Sequence, residues 1–445
     1  MSGASTVPLL PGAIPLLGHA ALIARDPLRF FDTARDHGPV VRVLIGTQPA
    51  YVVSSPELVR HMHLKGNGDT FDKGGRLFES ADELAGGGLV TIPMAKHRQQ
   101  RPLVQPVFHH TRLPGYVEQM ARVAEATIGG WRNGQVIDVG VETNRIATGV
   151  LAETLFLGPG SREASELVCR CLPTYMDGVA VRALLPSLNR LPLPSNRRFM
   201  RAMHELHRTL ERLISERRNS GTDEGDIVTP LLEAGDALSN RDVRDHLVTF
   251  LLAGSETTAG LLAWTVRELT LHPHIYADLQ NEVDDVLQGA IPSIEHLPRL
   301  PLLSTVLTEA MRLHPPLWAL TRATLEEATL GEHTLPPHAD VFFSHHALLR
   351  DPRVFPEPNH FVPGRWERDR ISKEQREAMI PFGLGPRKCI GEDFAMLEAS
   401  VVVATLLQRF RLHTETPARV SGRARVRVSQ RPSQLRVRLE SRRPS

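Results

Sequence analysis

Residues Pro381 to Gly391 read PFGLGPRKCIG and set one cysteine in a glycine-rich turn ahead of a long apolar run. The turn offers a single sulphur, not a thiol pair. A helix that begins just after Cys389 points its unpaired N–H groups and the positive end of its dipole at that sulphur, which favours thiolate over thiol and suits an iron ligand. Gly385 and Gly391 lack the Cβ that would block a tight turn or a close approach of backbone. Arg387 brings a permanent fork of donors for an anionic group beside the metal, and Phe382 stands where it can shield the site from water. The five fixed positions of F-x-x-G-x-R-x-C-x-G arise by chance with a probability on the order of one in ten thousand at average composition, which weighs against an inert buried cysteine.

A second constellation lies in SNRDVRDHLVTFLLAGSETTAGLLAWTVRELTLHP, residues 239–273. Ser239 or Asn240 caps the start, Pro273 closes the end, and apolar residues run nearly all the way round the middle, so one long buried helix is predicted. Gly254, Glu256 and Thr257 are then expected inside protein. Gly254 opens space, and the Thr257 hydroxyl can bond the Ala253 carbonyl in competition with the helix ladder, giving a local groove. An acid and a hydroxyl in such a groove can relay protons. The alternative is a core helix whose Glu256 is paired by a cation and whose Thr257 fills space. Third, TEAMRLHPP puts Glu309 and Arg312 three apart on one helix face, a spacing that alone indicates an ordinary salt bridge.

Together these segments resemble the cytochrome P450 family, in which the cysteine thiolate is the axial ligand of haem iron. Phe382, Gly385, Arg387, Cys389 and Gly391 match its haem-binding loop, and AGSETT matches its oxygen-activating helix. The resemblance implies haem b (iron protoporphyrin IX) held between the long helix and the helix after Cys389, with Glu256 and Thr257 as the catalytic pair. It implies a buried network of Glu309, Arg312 and Arg365, the last from FVPGRW, on the cysteine side. For the two propionates it implies His97 and Arg101, four apart in KHRQQR, with Arg322 from WALTRAT and Arg387. His97 stands where many members carry tryptophan, as in many soluble bacterial ones, and its charge state is open. Ala253, Leu317, Trp318 and Val428 are the implied, apolar lining of a substrate pocket.

The implied fold is mainly α with small peripheral β-sheets, one domain over residues 1–445. The implied activity is monooxygenation, one oxygen atom of O2 entering an apolar small molecule. PLLPGAIPLLGH and DHGPVVRVLIG are similar to bacterial terpene oxygenases of the pentalenene-oxidising kind, which makes a terpenoid the expected substrate, with fatty acids and polyketides as alternatives. A peroxide-dependent haem enzyme would usually lack the acid and alcohol, and a non-catalytic haem-thiolate sensor would need no relay. Neither a flavin fingerprint nor an iron–sulphur cysteine cluster occurs, so electrons from NAD(P)H are expected through a separate ferredoxin reductase and ferredoxin, docking on the face of Arg98, Arg101 and Arg112.

The elements that must position these residues are legible in outline. Helical patterns dominate from about residue 97 to 315. Strands are predicted at PVVRVLI, AYVV and the tail RVRVSQRPSQLRVRL, with RRNSGTDEGD, residues 217–226, as a polar connector. Among the 445 residues no linker, repeat or low-complexity block divides the chain. A net charge of +2 with interspersed signs indicates no nucleic-acid partner, and the proline-broken start with no long uninterrupted apolar run predicts a cytoplasmic protein without a membrane span. Cys169 and Cys171 read as inert thiols, the pairs His109-His110 and His345-His346 as surface or packing residues. Gly86 to Gly88 lacks the Lys-Ser/Thr of a P-loop.

Overall fold

The computed structural model describes residues 7–64, 68–74, 86–157, 161–184, 193–221, 224–418, 422, 424–426 and 429–442. Its centre is the helix Asn240–Leu271, which starts in a capping box: Ser239 Oγ accepts from the Asp242 N–H and the Asp242 carboxylate accepts from the Ser239 N–H. Residues on almost every side of it are buried, because helices pack around it. Val139–Leu155 makes the most extensive contact, Pro194–Ser220, Pro301–Leu313 and Glu392–Arg409 the others. An 18-residue window of this helix is apolar enough to cross a membrane, but 72% of it is buried against the rest of the protein.

Beta structure is peripheral. A five-stranded sheet runs in the order Val40–Ile45, Gln48–Val53, Asp340–Phe343, Leu320–Thr324, Phe71–Asp72, all antiparallel except the second and third strands. Val40, Val53, Val341 and Phe343 bury one face of it in a separate apolar cluster. The tail is not one alternating strand. Ala424–Val426 and Gln430–Pro432 form a hairpin, and Arg436–Ser441 joins a different sheet between Val136–Asp138 and Phe410–Thr414. Pro432 has no N–H for a ladder, so the run breaks there.

The connector expected from residue 217 begins later. The helix Pro194–Ser220 continues to a left-handed Gly221, and Arg217 is buried in an ion pair with Asp226 at 2.9 Å. The triple glycine has a packing role: a Cβ on Gly88 would lie 1.8 Å from Thr249 Oγ1, so this loop lies directly on the long helix. His345 and His346 are buried, while His109 and His110 are exposed and adjacent.

Candidate functional site

The cysteine loop is folded by its own backbone. The Cys389 N–H donates to the Phe382 carbonyl at 2.8 Å and the Lys388 N–H to Gly385 at 3.0 Å. Glycine is required at Gly385, where φ is +65° and a Cβ would meet the His63 carbonyl at 2.4 Å. It is not required at Gly391, whose φ is −98° and whose Cβ would make only ordinary contact with Phe108 at 3.8 Å. Phe382 is partly buried against the main core. The helix after the loop, Glu392–Arg409, starts with two carboxylates, Glu392 and Asp393, which offset its dipole. Cys389 is accessible, yet the surrounding protein raises its thiol above the ordinary value; the Gly391 N–H lowers it, Glu392 adds to the rise, and Arg101 and Lys73 oppose it. Burial is the largest of these influences.

Cations converge beside this loop. Arg387 is buried and donates one Nη2–H to Asp72 at 2.7 Å, while its Nε and Nη1 have no partner among the described residues. Arg322 is buried on its strand, donating to the Thr321 carbonyl at 2.8 Å and to His63 Nε2 at 3.2 Å, with Nε left over. The His63 Nδ1–H is taken by the Val59 carbonyl, so Nε2 is the acceptor, and burial followed by the Arg322 charge lowers this histidine to about 3. Arg322 itself is lowered to about 10, first by burial and then by Arg387. Lys73 joins them, pushed well below its usual value by burial, Arg322 and Arg387. On the helix Met94–Val104, half-buried Arg101 donates to the Lys388 carbonyl at 2.7 Å, and His97 is buried and lowered to about 3 by burial, Arg387 and Arg101. His97 is therefore neutral at physiological pH.

Four cationic side chains thus share one neighbourhood with the carboxylate of Asp72, which also accepts from the Met94 and Lys73 N–H groups at 2.7 Å each. Unpartnered buried guanidinium N–H groups are costly, and a dianionic ligand is what would satisfy them. This donor set fits the two propionates of haem. Asp72 and Lys73 were not found from sequence. Neither lies in a motif, and only the fold brings the strand Phe71–Asp72 alongside Leu320–Thr324 and Arg387.

On the long helix the pattern of burial changes where chemistry was expected. Ala253 is exposed and Gly254, Glu256 and Thr257 are half-buried, flanked at both ends by fully buried turns. The expectation that they lie inside protein is corrected: this stretch of the helix is left partly uncovered by its neighbours. The Thr257 hydroxyl donates to the Ala253 carbonyl at 2.6 Å. Glu256 has a hydroxyl for a partner, since Ser429 Oγ donates to Oε1 at 2.8 Å. Gly254 serves packing more than space, because a Cβ there would meet Leu151 Cδ1 at 2.9 Å on the neighbouring helix.

Glu309 is completely buried and fully engaged. Arg312 donates to it through Nε and Nη2 at 2.9 Å, Arg365 Nε and the Val362 N–H at 3.0 Å, and Trp366 Nε1 at 2.8 Å. Arg312 spends its remaining N–H groups on the Leu349, Pro358 and His360 carbonyls. Nearby, the His314 ring stacks on Trp264 at 3.8 Å and bonds Glu268 at 2.8 Å. Of the pocket residues, Trp318 packs edge-on to Phe31 at 5.8 Å among side chains of the peripheral sheet, so its ring serves that cluster. Leu317 is half-buried and its carbonyl accepts from His345 Nδ1. Val428 lies outside the described residues.

A cysteine in a glycine turn with buried cations beside it, together with an acid and an alcohol on a long central helix, marks the class of haem-thiolate monooxygenases. The sequence profile described as cytochrome P450 matches residues 8–436, and the chain belongs to that family of haem-iron monooxygenases, which use O2. It is 40% identical over 410 residues to a cyclooctat-9-en-7-ol 5-monooxygenase of Streptomyces melanosporofaciens, covering 90% of this chain and 88% of that one. It is 38% identical over 439 residues to a pentalenene oxygenase of Streptomyces avermitilis, covering 98% and 97%. The crystal structure of cytochrome P450DA heme domain superposes with a TM-score of 0.85 over 99% of both chains at 26% identity.

Proposed function

We propose that this monooxygenase oxidises a terpenoid, with Cys389 as the iron ligand in a single domain spanning the chain. The observation that carries the assignment of residues is the set of unpartnered buried N–H groups on Arg322 and Arg387 beside the cysteine loop. Haem bound through a thiolate supplies O2 activation and transfer of one oxygen atom. The residues do the rest. Arg322, Arg387, Lys73 and Arg101 hold the propionates, neutral His97 adds a hydrogen bond, and Phe382 keeps water from the sulphur. Thr257 presents its hydroxyl to the reacting space, and Glu256 passes it a proton drawn from solvent.

The terpenoid reading is supported by the substrates in the names of the two Streptomyces relatives and by the partly exposed apolar stretch Leu252, Ala253 and Gly254 of the long helix. Apolar area buried there is worth roughly 25 cal/mol per Å². Electrons are taken to come from NAD(P)H through a ferredoxin reductase and an acidic ferredoxin in the cytoplasm. Exposed Arg98 and Lys388 suit that docking, although Arg98 already pairs with Asp69, Lys388 with Glu392 and Arg112 with Glu233. A binding screen that follows the haem spectrum tests the substrate class. Terpene hydrocarbons and alcohols should bind and fatty acids should bind less well; tight fatty-acid binding with no terpenoid response contradicts the proposal.

A further inference from the structure

Ser429 sits on the tail hairpin, far in sequence from the long helix, and belongs to no motif. It is buried at 2% exposure and its hydroxyl donates to Glu256 Oε1 at 2.8 Å. Its position is fixed by the next residue. The Gln430 N–H donates to the Pro316 carbonyl at 2.9 Å, and Gln430 Nε2 donates to Pro315 at 2.8 Å. The Gln430 carbonyl accepts from Trp264 Nε1 at 3.3 Å, and a Cβ on Gly260 would come within 3.1 Å of that same oxygen. The backbone before Gln430 is thus tied both to the proline break and to the long helix two turns beyond Glu256. A hydroxyl held this way has little freedom to leave its acceptor.

We infer that Ser429 is a positioning residue for Glu256: its hydroxyl fixes one carboxylate oxygen and leaves the other, Oε2, directed to pass a proton towards Thr257. This rests on the reading of Glu256 as a proton carrier. A glutamate has three rotatable torsions, and half-exposed in a groove it would otherwise sample many orientations. One charge-assisted hydrogen bond from a buried, rigid donor selects among them.

The test uses the haem-loaded enzyme and three variants, Ser429→Ala, Ser429→Thr and Glu256→Gln. The infrared difference between wild type and Glu256→Gln isolates the Glu256 carboxylate band. In Ser429→Ala that band should shift, and in Ser429→Thr, which keeps a hydroxyl, it should stay. The ratio of oxidised product to NAD(P)H consumed should fall roughly two- to tenfold in Ser429→Ala, the range set by one lost hydrogen bond, with unchanged haem content and recovery in Ser429→Thr. A carboxylate band unmoved by Ser429→Ala overturns the inference. A wild-type product ratio in Glu256→Gln overturns instead the proton role of Glu256, whatever the band does.

Discussion

Two groups of buried charge in this molecule are built to opposite rules. Around Glu309 every donor has an acceptor: Arg312 is fully buried, and its guanidinium serves one carboxylate and three backbone carbonyls. Around Arg387 and Arg322 the sum is incomplete: among the described residues three guanidinium nitrogens have no partner, and Asp72 takes one bond from Arg387. The difference separates a scaffold from a receptor. Saturated charges hold backbone segments together, and the surplus positive charge next door is a binding capacity for something anionic. Neither motif alone distinguishes the two roles, since both consist of arginines near acids.

The sharpest contrast comes from removing one partner in each group. Glu309→Ala strands Arg312 and Arg365 without their carboxylate and should destabilise the protein by about 3–5 kcal/mol, read as lost soluble yield and a lower melting temperature. Near-normal melting would make the saturated group superficial. Arg322→Met should act differently, because among the described residues Arg322 donates to a carbonyl and a histidine and has no carboxylate partner to strand. The haem-free protein should change by less than about 1 kcal/mol or become more stable, while the haem content of purified protein falls. Equal losses of stability in the two variants would erase the distinction.

A smaller effect is expected at Glu398, fully buried on the helix after the cysteine, with neither carboxylate oxygen partnered among the described residues. Burial raises its carboxyl well above the ordinary 4.5, so the folded protein keeps a proton that the unfolded chain releases. Above about pH 4.5 the unfolded state binds fewer protons, so this group contributes a loss of stability that grows with pH until the folded carboxyl ionises. Glu398→Gln cannot titrate, and its melting temperature should gain on wild type between pH 5 and pH 8. Parallel pH profiles for the two proteins would show that Glu398 finds a partner.

Much of this was legible from residue types and spacing. A cap at Ser239 or Asn240, the length of the central helix and the tight cysteine turn follow from local rules, and local rules act within a few residues. Arg322, Arg387, His97 and Arg101 were named from motifs, and the fold brings all four to the same neighbourhood. What stayed hidden depends on contacts between distant segments. Asp72 and Lys73 matter through a two-residue strand, and Ser429 matters because a hairpin returns to the long helix. Trp318 was read as pocket lining from its position after the prolines, but Phe31, nearly 300 residues earlier, supplies the surface on which it packs. The half-exposure of Glu256 and Thr257 was missed for a related reason: an apolar helix predicts burial, and only the packing of its neighbours leaves a wall uncovered.

The central claim is that the loop sulphur and the unsatisfied cations beside it form one haem receptor with Cys389 as the iron ligand. The most direct measurement is the carbon monoxide difference spectrum of the reduced protein, taken for wild type and for Cys389→Ala. Wild type should give the red-shifted Soret band of a thiolate ligand, and Cys389→Ala should lose it. A variant spectrum that keeps this band would place the iron on another ligand and contradict the account.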